Sequence, residues 1–234
     1  MSKKIAIVFG GSRGIGKACV DALAADGFGV ALTYTSTAPE TGGDVRAYKA
    51  DITNPADVAR VADATRDFGG APTCIVANAG INVPPAPMAS FDPENFRRLV
   101  EVNIVGAFNV LQEAARSVAD GGSIIALTTS LVRFAAPGLG PYSATKAAVE
   151  CLVRSMSKEL AGRGVRVNAV APGPVDTDLF RSGKDAAAIQ RSAGMSPLNR
   201  VGEPEEVGNV VAFLASGKSS WIDGQIVQTN GGMV

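Results

Sequence analysis

The stretch Ile5-Ala6-Ile7-Val8-Phe9-Gly10-Gly11-Ser12-Arg13-Gly14-Ile15-Gly16-Lys17 decides the fold of this chain. Its first five residues form an apolar run that reads as a short buried strand, and the glycines stop it. From Gly14 to about Asp26 the pattern becomes helical, with Ala18, Ala22 and Leu23 on one face and Gly27 as the stop. Glycines at 10, 14 and 16 let the backbone turn sharply and approach a pyrophosphate closely. The helix that follows points its N-terminal amides and the positive end of its dipole at that anion. Glycine-rich turns also serve ordinary tight corners. The place of this one, between a first strand and a first helix, marks it as a dinucleotide cradle made by Gly10, Ser12, Arg13, Gly14 and Ile15.

Strand and helix signals then alternate to the end of the chain. Val30 to Tyr34 and Val45 to Tyr48 read as strands, and Asn54 caps a helix running to about Phe68. Cys74 to Ala77 is a strand, Asp92 to about Ala119 a long helix, and Ser123 to Thr128 a strand. Tyr142 to Ala161 (helix), Val165 to Ala171 (strand), Glu203 to Ala215 (helix) and Gln225 to Thr229 (strand) complete the series. The strands are continuous Val/Ile/Ala runs, as a sheet covered on both faces requires. The pattern predicts an α/β fold: one doubly wound parallel sheet of Rossmann type, in a single domain over 1–234. Residues 173–200, rich in Gly, Pro and Ser, break the rhythm and are expected to form a substrate lid.

Composition removes several classes of function. Lys and Arg number 22 and Asp and Glu 22, so no net field holds nucleic acid or an anionic membrane. The chain contains no histidine, which excludes histidine triads and histidine-bearing metal sites, and no metal site is expected. Cys19, Cys74 and Cys151 are scattered and odd in number, as expected of thiols in a reducing compartment. With no signal peptide pattern and no apolar run of membrane-spanning length, the expected location is cytoplasmic.

The end of the second strand selects the dinucleotide. A carboxylate there would bind the adenosine ribose hydroxyls and repel a 2′-phosphate. Here Thr33-Tyr34-Thr35-Ser36-Thr37 carries none. The hydroxyls and amides of this stretch, chiefly Tyr34, Thr35 and Ser36, can donate to a phosphate, and Arg13 can pair with it or stack on the adenine, which points to NADP(H). Further along, Tyr142-Ser143-Ala144-Thr145-Lys146 opens a helix just after Pro141. Residues four apart share a helical face, so the phenol and the ammonium can converge on one pocket. The nearby cation is expected to draw the tyrosine down from its ordinary value near pH ~10. Tyr142 would then give a proton to a carbonyl oxygen as hydride reaches the carbon, while Lys146 holds the ribose hydroxyls.

With these motifs in order, the chain is similar over nearly its whole length to the short-chain dehydrogenase/reductase family. Gly10, Gly14 and Gly16 match the family's glycine pattern. The resemblance implies that Asp51 and Ile52 contact the adenine, and that Asn78, Ala79 and Gly80 lie beneath the cofactor. It implies that Pro172, Gly173, Val175 and Thr177 bind the nicotinamide carboxamide. Asn103, Tyr142 and Lys146 match three of the four catalytic positions, Asn103 bending its helix around a water that feeds protons to the lysine. The fourth is a hydroxyl at the end of the strand Ser123 to Thr128. The family's commonest spacing back from Tyr142 lands on Thr129, with Ser130 one further along; Ser130 is the expected residue, on a loop one residue shorter before Pro141. Two positions depart from the pattern: Phe9 stands where threonine is usual, and Ala77 where a second asparagine is usual. Both lie at strand ends expected to be neighbours, where an apolar contact would replace a polar link.

The segments Asn168 to Phe180 and Ser196 to Glu205 most resemble 3-oxoacyl-[acyl-carrier-protein] reductases and polyhydroxynaphthalene reductases. Leu131, Val132, Arg133 and Phe134, joined by Leu179, Phe180, Met195 and Leu198, are mainly apolar and suit a ketone with a hydrophobic body. The resemblance also implies a homotetramer, built through helices 92–119 and 142–161 with Trp221-Ile222 near a second interface. Two other readings share the motifs: an NAD-dependent dehydrogenase working in the oxidative direction, and a non-catalytic nucleotide sensor.

Overall fold

The computed structural model describes residues 3–234. Strand β1 (Ile5–Phe9) is buried along its whole length, because both of its faces are covered. Ile7 and Phe9 face one apolar layer, Ala6 and Val8 the other. The remaining strands are β2 (Gly29–Tyr34), β3 (Val45–Lys49), β4 (Cys74–Ala77), β5 (Ser123–Leu127), β6 (Arg166–Pro172) and β7 (Ile226–Thr229). They form one seven-stranded sheet in the order β3-β2-β1-β4-β5-β6-β7, every neighbouring pair parallel. The edge strands β3 and β7 are only partly covered, which fits their more mixed sequences.

Helix α1 (Gly14–Ala25) follows β1, and α2 (Pro55–Phe68) follows β3. Asn54 starts α2, its side chain accepting from the Ala56 amide at 3.0 Å. After β4 come α3 (Pro93–Val100) and α4 (Ala107–Ser117), and after β5 the short α5 (Leu131–Phe134) and the long α6 (Gly140–Glu159). Then follow α7 (Asp178–Arg181), α8 (Ala186–Ala193) and α9 (Pro204–Ala215). Val58 and Val61 of α2, Val110 and Leu111 of α4, and Val149 and Val153 of α6 pack in one layer with Ile7 and Phe9. Cys19, Val20 and Leu23 of α1 and Val207, Val211 and Leu214 of α9 fill the other with Ala6 and Val8. The arrangement is the doubly wound parallel α/β sheet that the sequence predicts. Among the described residues, no helix is long and apolar enough to cross a membrane.

The structure corrects two expectations. The helix expected over 92–119 is interrupted by a π-turn, Glu101–Gly106, between α3 and α4. The stretch 173–200 is not irregular throughout. Thr177 and Asp185 cap α7 and α8 by accepting from the Phe180 and Ala188 amides. Those caps were hidden among glycines and prolines.

Because the strand order reverses between β1 and β4, the loops after these strands diverge and open a crevice at their carboxyl ends. The ends of β1, β4, β5 and β6 therefore share one edge of the sheet, where Gly10, Asn78, Thr129 and Pro172 gather.

Candidate active site

The glycine cradle at the end of β1 is held from three sides. Gly10 takes φ +78°, and a Cβ there would come within 2.8 Å of the Ala79 Cα. Asn78 donates its amide to the Gly10 carbonyl at 2.8 Å, and the Asn78 and Ala79 main-chain amides both donate to the Phe9 carbonyl. Thr33 Oγ1 accepts from the Gly10 amide at 2.9 Å. Thr33 is buried, so its hydroxyl braces the cradle from the end of β2. Its place at a strand end among hydroxyl residues is the one trace of this role in the sequence. Phe9 and Ala77 are register partners across β1 and β4 and lie in the same apolar layer. An apolar contact thus stands at the two positions that depart from the family pattern.

At the start of α1, Arg13 takes the N-cap position in an extended conformation, with no side-chain cap and no acidic residue in the first turn. Four amide donors at such an end lack helical partners. Bare amides, a positive dipole end and glycine backbone fit the pyrophosphate of a dinucleotide. Ser12, Gly14 and Ile15 line this turn, half-buried, and Arg13 is exposed beside it. Tyr34 is half-buried while Thr35 and Ser36 are exposed, so their polar groups are open to a phosphate. Thr177, the N-cap of α7, reaches the cradle: a Cβ on Gly14 would lie 3.2 Å from the Thr177 methyl.

Asp51 is exposed, with Oδ1 accepting from the Thr53 amide at 2.9 Å and hydroxyl at 2.8 Å. Ile52 is core: its side chain packs on Gly106 at the end of the π-turn, and its carbonyl accepts from Asn109 at 2.9 Å. Only the Ile52 amide is left for a nucleotide. On the β6 side, the Gly173 amide donates to Thr229, and Val175 is buried in an isolated parallel bridge to Gly202.

The π-turn carries Asn103 to the centre of the site. Its Oδ1 accepts from the Ile81 amide at 2.8 Å, and its Nδ2 donates to the Ile81 carbonyl at 2.9 Å and to Thr145 Oγ1 at 3.2 Å. The side chain thereby joins the loop after β4 to α6. A Cβ on Gly80 would sit 3.1 Å from Asn103 Oδ1 and 3.3 Å from Lys146 Nζ, so these groups meet over one glycine.

Lys146 is buried and donates to the Leu127 carbonyl at 2.9 Å. Burial pulls its ammonium down to about 8. Tyr142 lies one turn earlier on α6, and burial pushes its phenol up to about 12. This direction is opposite to the lowering that the sequence reading expects from the nearby cation. Desolvation is the only cause of either shift, and it keeps the proton on the phenol.

Thr129 and Ser130 are separated by their hydrogen bonds. Ser130 is 0% exposed; its hydroxyl lies 2.8 Å from the Ala171 carbonyl and 2.9 Å from Gln228 Oε1, and it accepts from Asn230 Nδ2 at 2.9 Å. Its single proton is taken by this network. Thr129, 7% exposed, only accepts from the Leu131 amide at 3.3 Å, which leaves its proton free. The expectation for Ser130 therefore meets a hydroxyl already engaged by β6 and β7, a fact that spacing along the chain does not carry. Of the substrate-side apolar residues, Leu179 and Leu198 are well exposed and Phe134 and Met195 partly so.

A parallel sheet with a bare glycine-rich helix start, and a half-buried tyrosine one helical turn from a buried lysine, defines a nucleotide-dependent oxidoreductase. A family model described as Enoyl-(Acyl carrier protein) reductase matches residues 10–234. A Short-chain type dehydrogenase/reductase of Picea abies is 38% identical over 99% of this chain and 92% of its own length. An NADPH-dependent aldehyde reductase-like protein, chloroplastic, of Arabidopsis thaliana is 39% identical, covering 100% of this chain and 95% of its own. The 3-oxoacyl-[acyl-carrier-protein] reductase MabA of Mycobacterium tuberculosis is 35% identical over 97% and 91%. The crystal structure of a short chain dehydrogenase from Burkholderia cenocepacia J2315 in complex with NADP superposes with a TM-score of 0.88, at 29% identity, over 98% of this chain and 97% of that one. The chain belongs to the short-chain dehydrogenase/reductase family.

Proposed function

We propose that this oxidoreductase uses NADPH to reduce the carbonyl of an apolar ketone or a 3-oxoacyl thioester. The observation that carries the reading is the meeting of Lys146 Nζ and Asn103 Oδ1 over Gly80, one helical turn from Tyr142. The relatives named as aldehyde and 3-oxoacyl reductases support the substrate class. The open hydroxyls after β2 and the absence of a carboxylate among residues 33–37 support the phosphorylated cofactor.

NADPH, when bound, supplies the hydride. Gly10, Ser12, Arg13, Gly14 and Ile15 hold the pyrophosphate, and Tyr34, Thr35 and Ser36 the 2′-phosphate. Asp51, the Ile52 amide and Asn78 to Gly80 flank the adenosine and ribose side, and Pro172, Gly173, Val175 and Thr177 take the carboxamide. Tyr142 keeps its proton across the neutral range and donates it to the substrate oxygen. Thr129, with its free hydroxyl proton, donates to the same oxygen, the role that the sequence reading gives to Ser130. Lys146 holds the ribose hydroxyls and supplies positive charge, and Asn103 fixes the loop after β4 against α6. Residues 173–200 act as the lid, its exposed Leu179 and Leu198 closing on the apolar body of the substrate.

Phe96, Val105 and Phe108 leave apolar surface exposed along α3 and α4, and Trp221 is 99% exposed, which suits packing into a homotetramer. A single-chain mass in light scattering would remove that assembly. The three cysteines are unpaired, in keeping with a cytoplasmic site of action.

The test is a panel of ketones, aldehydes, 3-oxoacyl thioesters and enoyl thioesters with NADPH and with NADH, followed by loss of nicotinamide absorbance. Reduction of a carbonyl with NADPH preferred is the expected result. Tyr142→Phe should cost roughly 10²–10⁴-fold in kcat, and Thr129→Val should cost more than Ser130→Ala. Turnover of the enoyl thioester alone, or preference for NADH, would overturn the reading.

A further inference from the structure

The segment Gln228 to Gly231, which lies outside every motif noted in the sequence, touches three separate parts of the site. The first is the turn bearing Thr129. Asn230 Nδ2 donates to Ser130 Oγ at 2.9 Å, and Gln228 Oε1 lies 2.9 Å from the same oxygen. The second is the segment assigned to the carboxamide. The Gly173 amide donates to the Thr229 carbonyl at 3.0 Å, and a Cβ on Gly173 would lie 2.9 Å from the Asn230 Cβ. Ser130 joins these two parts directly, its amide donating to the Pro172 carbonyl at 2.9 Å and its hydroxyl to Ala171 at 2.8 Å. The third is the end of the lid: Ser196 Oγ, on a buried residue, donates to the Gly231 carbonyl at 2.6 Å.

Asn230 itself is held on both sides. Its Oδ1 accepts from the Gly232 amide at 3.0 Å and the Met233 amide at 3.1 Å, so the side chain cannot swing away without breaking its own turn. A group fixed at one end and bonded to Ser130 at the other transmits position rather than merely filling space.

We propose that Asn230 and Gln228 are positioning residues: through Ser130 they set the distance between the Thr129 hydroxyl, which marks the substrate oxygen, and the Pro172–Gly173 segment, which seats the nicotinamide. The proposal rests on the reductase reading above. Hydride transfer is steep in distance, and a displacement near 1 Å can cost on the order of 100-fold in rate. A hub that couples both reactants to one strand end therefore controls kcat more than binding.

Asn230→Asp keeps the acceptor for Gly232 and Met233 and removes the donor to Ser130. Its expected signature is a kcat lowered roughly tenfold with the NADPH KM unchanged within twofold. The isotope effect with NADPH deuterated at the transferring hydrogen should also become more temperature-dependent. Gln228→Glu, which draws the Ser130 proton away from Ala171, gives the same signature and serves if the first variant fails to fold. A lowered Tm with unchanged kcat and isotope effect overturns the proposal, as does a loss confined to NADPH affinity. The fluorescence lifetime of bound NADPH needs no substrate and should change in both variants. An unchanged lifetime overturns the positioning role, whereas a wild-type protein that reduces no carbonyl overturns the reductase reading instead.

Discussion

Helices α1 and α9 lie side by side on one face of the sheet, yet their first turns are built in opposite ways. The start of α9 is closed. Glu206 accepts from the Glu203 amide at 2.8 Å, the Glu206 amide donates to the Glu203 carbonyl at 3.1 Å, Pro204 removes one donor, and Arg200 pairs with Glu206 at 2.6 Å. The start of α1 has none of these: Arg13 occupies the N-cap, no carboxylate lies in the first turn, and the glycines leave the amides bare. An uncapped helix start typically forgoes about 1 kcal/mol that a Ser, Asp or Asn would provide. The difference teaches where the chain has left local structure incomplete so that a ligand can finish it.

Giving α1 the kind of start that α9 has should separate stability from binding with the largest effect. Arg13→Asp places a capping carboxylate where an anion is meant to sit and removes a cation. We expect roughly 100-fold weaker NADPH binding, from repulsion at close range. The Tm should rise by about 2–4 °C, the usual response of a chain this size to about 1 kcal/mol. Calorimetry and thermal melts read both. A fall in Tm together with unchanged affinity would mean that the bare turn is an accident of the loop and not an anion site.

What could be read from the chain follows the same line between local and distant. The sheet, the cradle and the Tyr142–Lys146 pair depend on spacing within a few residues, and the sequence displays such spacing directly. Thr33 bonding to Gly10 and Asn230 bonding to Ser130 span 23 and 100 positions, and no local pattern announces them. The π-turn at Asn103 leaves no mark in the apolar periodicity, and only the family resemblance points to a bend there. Thr129 and Ser130 also differ in what β6 and β7 offer their hydroxyls, which spacing along the chain does not display. The tyrosine's raised value reflects a depth of burial that residue spacing does not record.

The contrast between unfinished and finished groups also holds for two charges. Lys146 is buried against a carbonyl, which lowers it from 10.5 to about 8, whereas Glu206 lies at the surface beside Arg200, which lowers it from 4.5 to about 2. For Lys146 the folded value is below the unfolded one, so folding disfavours its ammonium below about pH 8, and that penalty fades between about 8 and 10.5. In the proposed reaction that charge assists transfer. The kcat/KM for reduction should therefore decline by about tenfold per pH unit above about 8, while Tyr142 remains protonated to about 12. A profile flat to pH 10 would show that the lysine's charge does not assist transfer.

The smallest effect is expected at α9, and it should touch stability alone. Glu206 is held by the Arg200 guanidinium first and the Glu203 amide second, and its folded value is depressed to about 2. Its contribution is therefore complete above about 4.5 and lost as the pH falls towards 2. The pair is half-exposed, so solvent screens it and its contribution is small. Glu206→Gln keeps an oxygen that accepts from the Glu203 amide and removes only the charge, so it should lower the Tm by at most about 2 °C at pH 7, and the deficit should shrink as the pH approaches 2. NADPH affinity should stay within twofold of wild type. Were affinity to fall with stability, the two helix starts would be coupled through their shared apolar layer, and the division between a sealed end and an open one would not hold.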